Sequence, residues 1–478
     1  MSHMNPNTTD DGRLRMAQEL LDFILDHLHY DQESLKRCAL ASRSLLPTCQ
    51  RHLFSTYHIT RMNVAKLVEF FTLPASTDGQ DECAALRARV ADLFNAYTDN
   101  LILTDHPGLL LRSGQQARLP EFKSAQKITF RGDELSSAVT IPSFLRQTWM
   151  SPFSKIQSVE FEFRFMSPRG VLESLCVLPA QVENVGFIGT RPKSIDKSPT
   201  AASIRQFVKG RSLSDYLDRE AREFNGTLKL RLPTYIPEKV LSVALELEDC
   251  FKFSLKRINY KLSLNAEIPY LASLVEKCKA TLEFLDIMVS FPSAYGVQPN
   301  VSSLISGYTV GVDEFPHSVL RHYGRSRGED RTFDFSHHPA LKSIRIWIPA
   351  DFDSDWLSGA ISTIPKPSSA TPRVPPLRIE LHISLPPWMM YPKDPGPHTS
   401  EEVDELVAAW IPIDTQLSRL IGFSPDTLSA SATSAKDNTT GGILLDITIP
   451  EVATGPGEGV AALMLPLLSD IKGLVRLG

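Results

Sequence analysis

The chain has 478 residues, of which 42% are hydrophobic and 22% are charged, and its formal net charge is −5. This length is too great for one compact core but suits a repeat array, in which each unit buries its face on its neighbours. The composition is typical of a soluble protein. The net negative charge argues against general nucleic-acid binding and against electrostatic attachment to anionic lipid, because both need clustered Lys and Arg.

The N-terminus and the cysteines indicate an intracellular protein. Residues 5–11 are polar, no signal-peptide core follows them, and no apolar run approaches the roughly 20 residues that span a bilayer. The six cysteines form no Cys-x-x-Cys pair. We therefore expect a disordered segment over residues 1–14, a cytoplasmic or nuclear location, and no metal or cofactor.

Three short helices are predicted within residues 15–60. Apolar residues recur at three- and four-residue steps over residues 16–28, which is typical of an amphipathic helix. Asp31 is placed to cap a second helix, and Pro47 marks either a break or the first turn of a third helix that carries residues 51–54. Three short helices bury little surface, so we expect this module to lean on a partner or on the next domain.

Three stretches of this module share a pattern: residues 16–21 read Met-Ala-Gln-Glu-Leu-Leu, residues 38–47 read Cys-Ala-Leu-Ala-Ser-Arg-Ser-Leu-Leu-Pro, and residues 51–54 read Arg-His-Leu-Phe. The pattern resembles the F-box-like motif of the large basidiomycete fungal families, which reads Leu-Pro-x-Glu-Leu, Cys-Ser-Leu-Val-Cys-Arg-Ser-Trp-Leu-Pro and Arg-x-His-Leu-Phe. The resemblance implies docking on the Skp-type adaptor of a cullin-RING (SCF-type) ubiquitin ligase. The implied adaptor-binding residues are Met16, Leu20, Leu21, Ile24, Leu28, Leu40, Leu45 and Leu46.

The module departs from the family pattern at two positions. Ala17 stands where the family has Pro, and Leu45 stands where it usually has Trp. The loss of Trp removes a large apolar anchor of the kind that dominates interfaces. The alternative is a helical cap that covers the open end of a repeat array.

A second pattern recurs through residues 61–478: apolar, two variable, apolar, one variable, apolar. Leu341, Ile344 and Ile346 are a clear example, and copies begin at residues 98, 125, 156, 182, 225, 255, 282, 341, 374 and 442. Regular copies start about 26 to 31 residues apart, near the period of leucine-rich repeats. Helices are predicted between strands at residues 168–178, 237–247, 268–278, 353–364 and 401–420, with Pro/Ser/Gly-rich insertions at 190–202, 365–376, 386–400 and 424–442.

The predicted fold is therefore α/β: a short N-terminal three-helix F-box-like module (15–60) followed by an irregular leucine-rich-repeat-like solenoid (61–478). A doubly wound sheet is the alternative, but its strands would be apolar on both faces. Here charged residues alternate with the apolar ones, which predicts one strand face in water. The substrate-face candidates are Arg257, Lys261, Arg345, Trp347, Arg378 and Glu380, and parity adds Glu160, Glu162, Arg164, Lys229, Arg231, Asn259, Asp286, Met288 and His382.

Motifs of enzymes and metal sites lack their required context. Residues 324–328 match Gly-x-Ser-x-Gly but stand in a charged stretch, residues 351–355 lack the Gly and Glu of a calcium loop, and the last Gly of 455–459 comes too early for a dinucleotide fingerprint. His337 and His338 are interpreted as surface histidines. We expect no enzyme, but a substrate-recognition adaptor that binds a Skp-type adaptor and an unidentified substrate protein, with neither nucleic acid nor membrane. The alternative is a repeat-based interaction scaffold that no longer docks on a ligase.

Overall fold

The computed structural model describes residues 18–60, 63, 66, 82–104, 124–135, 155–178, 181–192, 199–210, 221–233, 236–263, 265–289, 333–350, 355–366, 375–384, 400–421, 443–449, 465 and 475–477. These residues form ten α-helices and fourteen β-strands. The chain divides into two compact units. The first comprises Met1–Phe165 and Glu173–Glu183, and the second comprises Met166–Leu172 and Asn184–Gly478.

The first unit begins with the three predicted helices, α1 (Gln18–His27), α2 (Gln32–Ala41) and α3 (Leu46–Phe54). Asp31 caps α2 as predicted, because its carboxylate accepts a hydrogen bond from the Ser34 backbone N–H at 3.1 Å. Pro47 lies in the first turn of α3, which is one of the two alternatives that the sequence left open. The helices share a small buried cluster of Leu25, Leu35 and Cys49, with Leu28, Cys38, Ala39, Leu45 and Leu53 packed against it.

Parallel strands follow in the first unit. They are β1 (Thr56–Ile59), β2 (Asn100–Thr104), β3 (Lys127–Leu135) and β4 (Ser158–Met166), hydrogen-bonded in that order. Helix α4 (Glu82–Tyr97) precedes β2, and α5 (Pro168–Val177) follows β4. Phe94 of α4 packs edge-on against Phe54 and Tyr57, with ring centroids 5.9 and 4.5 Å away. Aromatic packing therefore holds α4 against α3 and β1.

The second unit contains a larger parallel sheet. Its strands are β5 (Asn184–Pro192), β7 (Thr227–Arg231), β9 (Arg257–Leu262), β10 (Phe284–Val289), β11 (Ser343–Pro349), β12 (Leu377–Ser384), β13 (Ile443–Ile449) and β14 (Val475–Leu477), in that order. The described strands do not close into a barrel. A separate parallel pair is formed by β6 (Arg222–Phe224) and β8 (Phe251–Phe253). The helices are α6 (Ala201–Gly210), α7 (Ile236–Glu246), α8 (Ile268–Lys277), α9 (Asp355–Ser362) and α10 (Ser400–Leu420), and a 3₁₀ turn (Asn265–Glu267) precedes α8.

Alternate residues of these strands are buried beneath helices. Ile287 of β10, Ile346 of β11 and Leu381 of β12 face Leu357 of α9 and Leu417 of α10 across a shared apolar layer. The residues between the apolar ones are mostly half-buried or exposed in β9 to β12. The predicted alternation, with one apolar face and one polar face, is confirmed for these strands.

All ten predicted strands are present, and the five predicted helices appear with bounds within about two residues of those expected. Helices α4 and α6 and strands β1, β6, β8 and β14 were not predicted. The insertion expected over 190–202 is partly wrong, because β5 extends to Pro192 and α6 begins at Ala201. No described helix combines the length and the apolar character that crossing a membrane requires.

Candidate functional site

The helical module exposes several of the residues predicted to bind an adaptor. Leu20 and Ile24 of α1 are 50% and 43% exposed, and Leu46 of α3 is also exposed. Leu40 of α2, another predicted adaptor-binding residue, is 89% exposed. Of the remaining predicted residues, Met16 lies outside the described residues, Leu21 is half-buried, and Leu28 and Leu45 pack against the module's own core.

Sequence reasoning missed Phe23, which is 59% exposed. Phe23 packs edge-on against His27, with ring centroids 4.6 Å apart. Leu20, Phe23 and Ile24 are spaced i, i+3 and i+4, so they share one side of α1. We call these three residues the α1 patch. Single exposed apolar residues are common on protein surfaces, whereas adjacent large ones mark interaction sites.

Polar contacts fix the orientation of α1 on α3. Asp26 of α1 accepts hydrogen bonds from Arg51 at 2.9 Å and pairs with His52 at 2.8 Å, both in α3. Thr48 donates to Asp22 at 2.6 Å. These contacts use the polar side of α1 and leave the α1 patch uncovered by the described residues.

The second unit carries a row of polar residues across its sheet. Strand register makes neighbours of residues on six successive strands, which we call the central row: Lys229, Asn259, Asp286, Arg345, Glu380 and Asp446. Because these residues alternate with buried apolar ones, they share the face opposite the helix-covered layer.

Hydrogen bonds and ion pairs connect residues of the central row to one another and to the neighbouring Arg231 and Arg378. Arg231 Nε donates to Asn259 Oδ1 at 2.9 Å, and Asn259 Nδ2 donates to Asp286 Oδ2 at 2.6 Å. Glu380 forms an ion pair with Arg345 and accepts from Arg378 Nε at 2.7 Å. Each described carboxylate of the row therefore has a hydrogen-bonding or ionic partner, including Asp446, which lies 3.5 Å from Arg378 Nη2.

Glu380 was predicted to be an exposed residue of the substrate face, and the prediction that it is exposed is wrong. It lies on the predicted face but is only 6% exposed. The hydrogen bond from Arg345 is the main cause that lowers the pKa of Glu380, and burial opposes it. Glu380 therefore holds Arg345 on the neighbouring strand and Arg378 two residues earlier on its own strand.

The other five substrate-face candidates lie together on the polar face of β9 to β12. Trp347 is 42% exposed and stacks on His382 with ring centroids 3.9 Å apart and planes 12° apart. The Arg257 guanidinium lies over the Phe284 ring, 4.4 Å from its centroid. Lys261 is half-buried beside Met288. Exposed Trp and Arg are common anchors of protein interfaces.

Other predicted residues have different surroundings. In the first unit, Glu160 is buried and pairs with Lys127 at 2.7 Å, while Glu162 pairs with Arg131 at 2.6 Å. The interpretation of His338 as a surface histidine is wrong: it is buried, its Nε2 lies 3.2 Å from the Val275 carbonyl, and burial lowers its pKa.

The enzyme and metal motifs rejected in the sequence fall almost entirely on residues that the structure does not describe. Residues 324–328, 351–354 and 455–459 lie outside the described residues. Within the described part of the chain, no group of three or more His, Cys, Asp or Glu is arranged to hold a metal ion.

Comparisons of the sequence with known proteins found neither a matching family model nor a matching curated protein.

Proposed function

We propose that the chain is the substrate-recognition adaptor of a cullin-RING ubiquitin ligase. In this proposal the N-terminal module docks on a Skp-type adaptor, and residues 61–478 form a leucine-rich-repeat-like domain whose polar strand face holds a substrate protein. The observation that carries the proposal is the α1 patch, which exposes three large apolar side chains in a module that resembles the F-box.

The α1 patch supplies docking energy in this proposal. Complete burial of one such side chain contributes roughly 1.5–3 kcal/mol, so covering the exposed part contributes about 1 kcal/mol each. The small cluster around Leu25, Leu35 and Cys49 gives the module little core of its own. A partner that covers α1 would therefore stabilise both the complex and the module.

The strand face supports the second half of the proposal. It combines an exposed Trp347 with the exposed guanidinium groups of Arg257, Arg345 and Arg378. The chain would act by proximity, since holding a substrate beside a ligase raises its effective concentration there without any bond being broken by this chain.

Co-purification tests the docking step. The full chain, co-expressed with a Skp-type adaptor, should retain that adaptor through size exclusion. The double substitution Phe23→Ala and Ile24→Ala should weaken the complex at least tenfold, as measured by calorimetry. Leu86→Ala is the matched control, because Leu86 is a comparably exposed apolar residue of α4 outside the module. Equal affinity of the double variant and the wild type would refute the role of the α1 patch.

A repeat-based scaffold that no longer docks is the second candidate. It is favoured by Leu45, which occupies the family's Trp position and packs against the module's own core. If the wild type does not bind the adaptor and a variant with Ala17→Pro and Leu45→Trp does, the scaffold is correct and docking has been lost.

A further inference from the structure

A second row of residues lies beside the central row on the polar strand face. Register aligns Lys261 with Met288, Met288 with Trp347, and Trp347 with His382. Arg231 lies next to Lys261, because the preceding residues Leu230 and Tyr260 are register partners. We call Arg231, Lys261, Met288, Trp347 and His382 the strip.

The strip differs from the central row in its charge. The central row contains Asp286, Glu380 and Asp446, whereas none of the five strip residues is acidic. Arg231 and Lys261 form no ion pair within the described residues, and the bond of Arg231 goes to the neutral amide of Asn259. Two cations therefore stand side by side without a carboxylate between them.

The charged form of Lys261 is disfavoured at this position. Burial lowers its pKa, the charge of the buried Glu267 opposes that effect, and repulsion from Arg231 adds to it. An incoming anion would offset the desolvation of the Lys261 ammonium and its repulsion by Arg231, because it would pair with both cations. On the same face, Asp286 is the carboxylate nearest in register, and it already feels the charges of Arg345, Arg231 and Arg257.

The other end of the strip is apolar and aromatic. Met288 is half-buried, Trp347 is 42% exposed, and the indole stacks on the His382 ring. Stacking fixes the orientation of Trp347, so a ligand meets a preformed apolar surface. The strip thus offers a cationic end and an aromatic end on one row.

We propose that the strip binds an extended acidic segment of the substrate protein, with one carboxylate side chain between Arg231 and Lys261 and one apolar side chain on Met288 and Trp347. This inference rests on the proposed function and names the chemistry of its substrate. Neighbouring strands are about 4.8 Å apart. The midpoint between Arg231 and Lys261 is therefore two strand spacings, about 10 Å, from the midpoint between Met288 and Trp347. A polyproline-II segment matches this spacing, because residues i and i+3 lie on one side about 9 Å apart.

A peptide fits this face better than a nucleic acid does. A single strand laid along the strip would carry phosphates past Asp286 and Glu380, which lie two residues before Met288 and His382 on the same strands. Repulsion would follow at each of them. A peptide places its charge at one position and its apolar group at another, so it avoids these carboxylates.

Peptide titration with the full chain tests the proposal. The probes are fluorescein-labelled ten-residue peptides that contain Glu-Pro-Pro-Leu, with the same residues permuted to Glu–Leu spacings of one and five as controls. Fluorescence anisotropy should show the tightest binding at a spacing of three, and Glu→Gln in the probe should weaken it at least fivefold. Equal affinity at all spacings would overturn the proposal.

Protein variants locate the site. Arg231→Gln, Lys261→Gln and Trp347→Ala should each weaken binding of the best probe at least fivefold. Lys279→Gln is the matched control, because it removes one exposed positive charge outside the strip. The proposal falls if the control weakens binding as much, or if single-stranded oligo(dT) binds more tightly than the peptide and loses affinity in the same variants.

The same variants separate this inference from the proposed function. Lys261→Gln and Trp347→Ala should retain the Skp-type adaptor as the wild type does, since both residues belong to the second unit. If no adaptor binds any variant while the probe still distinguishes them, the ligase role is refuted and the strip stands. If the adaptor binds but the probe does not, the strip is refuted alone.

Discussion

The buried carboxyl of Glu267 should make the stability of the second unit depend on pH. Glu267 ends the 3₁₀ turn before α8 and is completely buried. Its Oε2 accepts hydrogen bonds from the Tyr260 hydroxyl at 3.3 Å and the Ser263 backbone N–H at 3.2 Å. Its Oε1 has no hydrogen-bond partner among the described residues. Burial raises the pKa of Glu267 from 4.5 to about 7, and the two hydrogen bonds oppose the rise.

The direction of the pH dependence follows from the pH at which the folded and the unfolded chain each bind a proton on Glu267. The folded chain protonates Glu267 below about pH 7, whereas the unfolded chain does so below about 4.5. The contribution of Glu267 to the free energy of unfolding is therefore fully present below the pKa of the unfolded chain, and it is lost as the pH rises through the pKa of the folded chain. At about 1.4 kcal/mol for each pKa unit, the total loss is about 3 kcal/mol, and about 2–3 kcal/mol of it falls between pH 5 and pH 8.

Glu267→Gln should remove this loss, because the amide cannot ionise. Urea unfolding followed by tryptophan fluorescence should give similar free energies of unfolding for variant and wild type at pH 5. At pH 8 the variant should be more stable by about 2 kcal/mol. Glu276→Gln is the control, since this exposed glutamate near the end of α8 should leave the wild-type pH dependence unchanged. Parallel curves for wild type and Glu267→Gln, or a variant that is less stable at pH 8, would refute the reasoning.

Two further predictions concern packing. Leu35 is completely buried in the centre of the helical module, so Leu35→Ala should lower the stability of the module by about 2–5 kcal/mol in thermal unfolding. Leu40→Ala is the control, because Leu40 is exposed and its loss should change stability by less than about 0.5 kcal/mol. Equal effects of the two substitutions would contradict the packing described. Trp410→Phe should lower the free energy of unfolding in urea by about 1–3 kcal/mol. The substitution removes the hydrogen bond that the buried Trp410 indole donates to the Ala350 carbonyl at 2.7 Å, and it leaves a void beneath the sheet. A variant as stable as the wild type would refute this prediction.

The strand positions could be predicted because burial imposes a short-range rule. Ile344, Ile346 and Ile348 had to be apolar to face the helices, and every second residue between them was free to be polar. The same rule operates in each copy, so the sequence pattern is visible without knowledge of the partners. Helix α8 could be predicted for a similar reason, since Pro269 in its first turn and a continuous apolar stripe both favour it.

Helices α4 and α6 illustrate what such patterns miss. The apolar residues of α4 give a weak helical period, and its packing depends on Phe94 meeting rings from α3 and β1. For α6 a local signal was present, because the Thr200 hydroxyl accepts a hydrogen bond from the Ser203 backbone N–H at 3.2 Å. That capping pair was obscured by the Pro/Ser-rich segment before it.

The binding face was only partly predictable, because parity assigns a residue to a face but does not give its neighbours. The segments between strands differ in length, so the pairing of Asp286 with Arg345 and of Arg345 with Glu380 depends on register across long separations. The local neighbours also differ in their effect on exposure. Glu380 pairs with Arg345 across the strands and with Arg378 on its own strand and is buried, while Trp347 stacks on His382 and stays exposed.

This difference determines which residues report on binding. Arg345 and Trp347 looked equally interface-like in the sequence, but the structure gives Arg345 a second role as a partner of Glu380. Removing Arg345 would leave the buried Glu380 carboxylate with one positive partner fewer and would lower stability. A loss of binding in such a variant could not be separated from this loss of stability. Lys261 has no ion pair among the described residues, and Trp347 makes an aromatic contact without a hydrogen bond that its loss would strand. Substitutions at these two positions therefore test recognition with little disturbance of the fold.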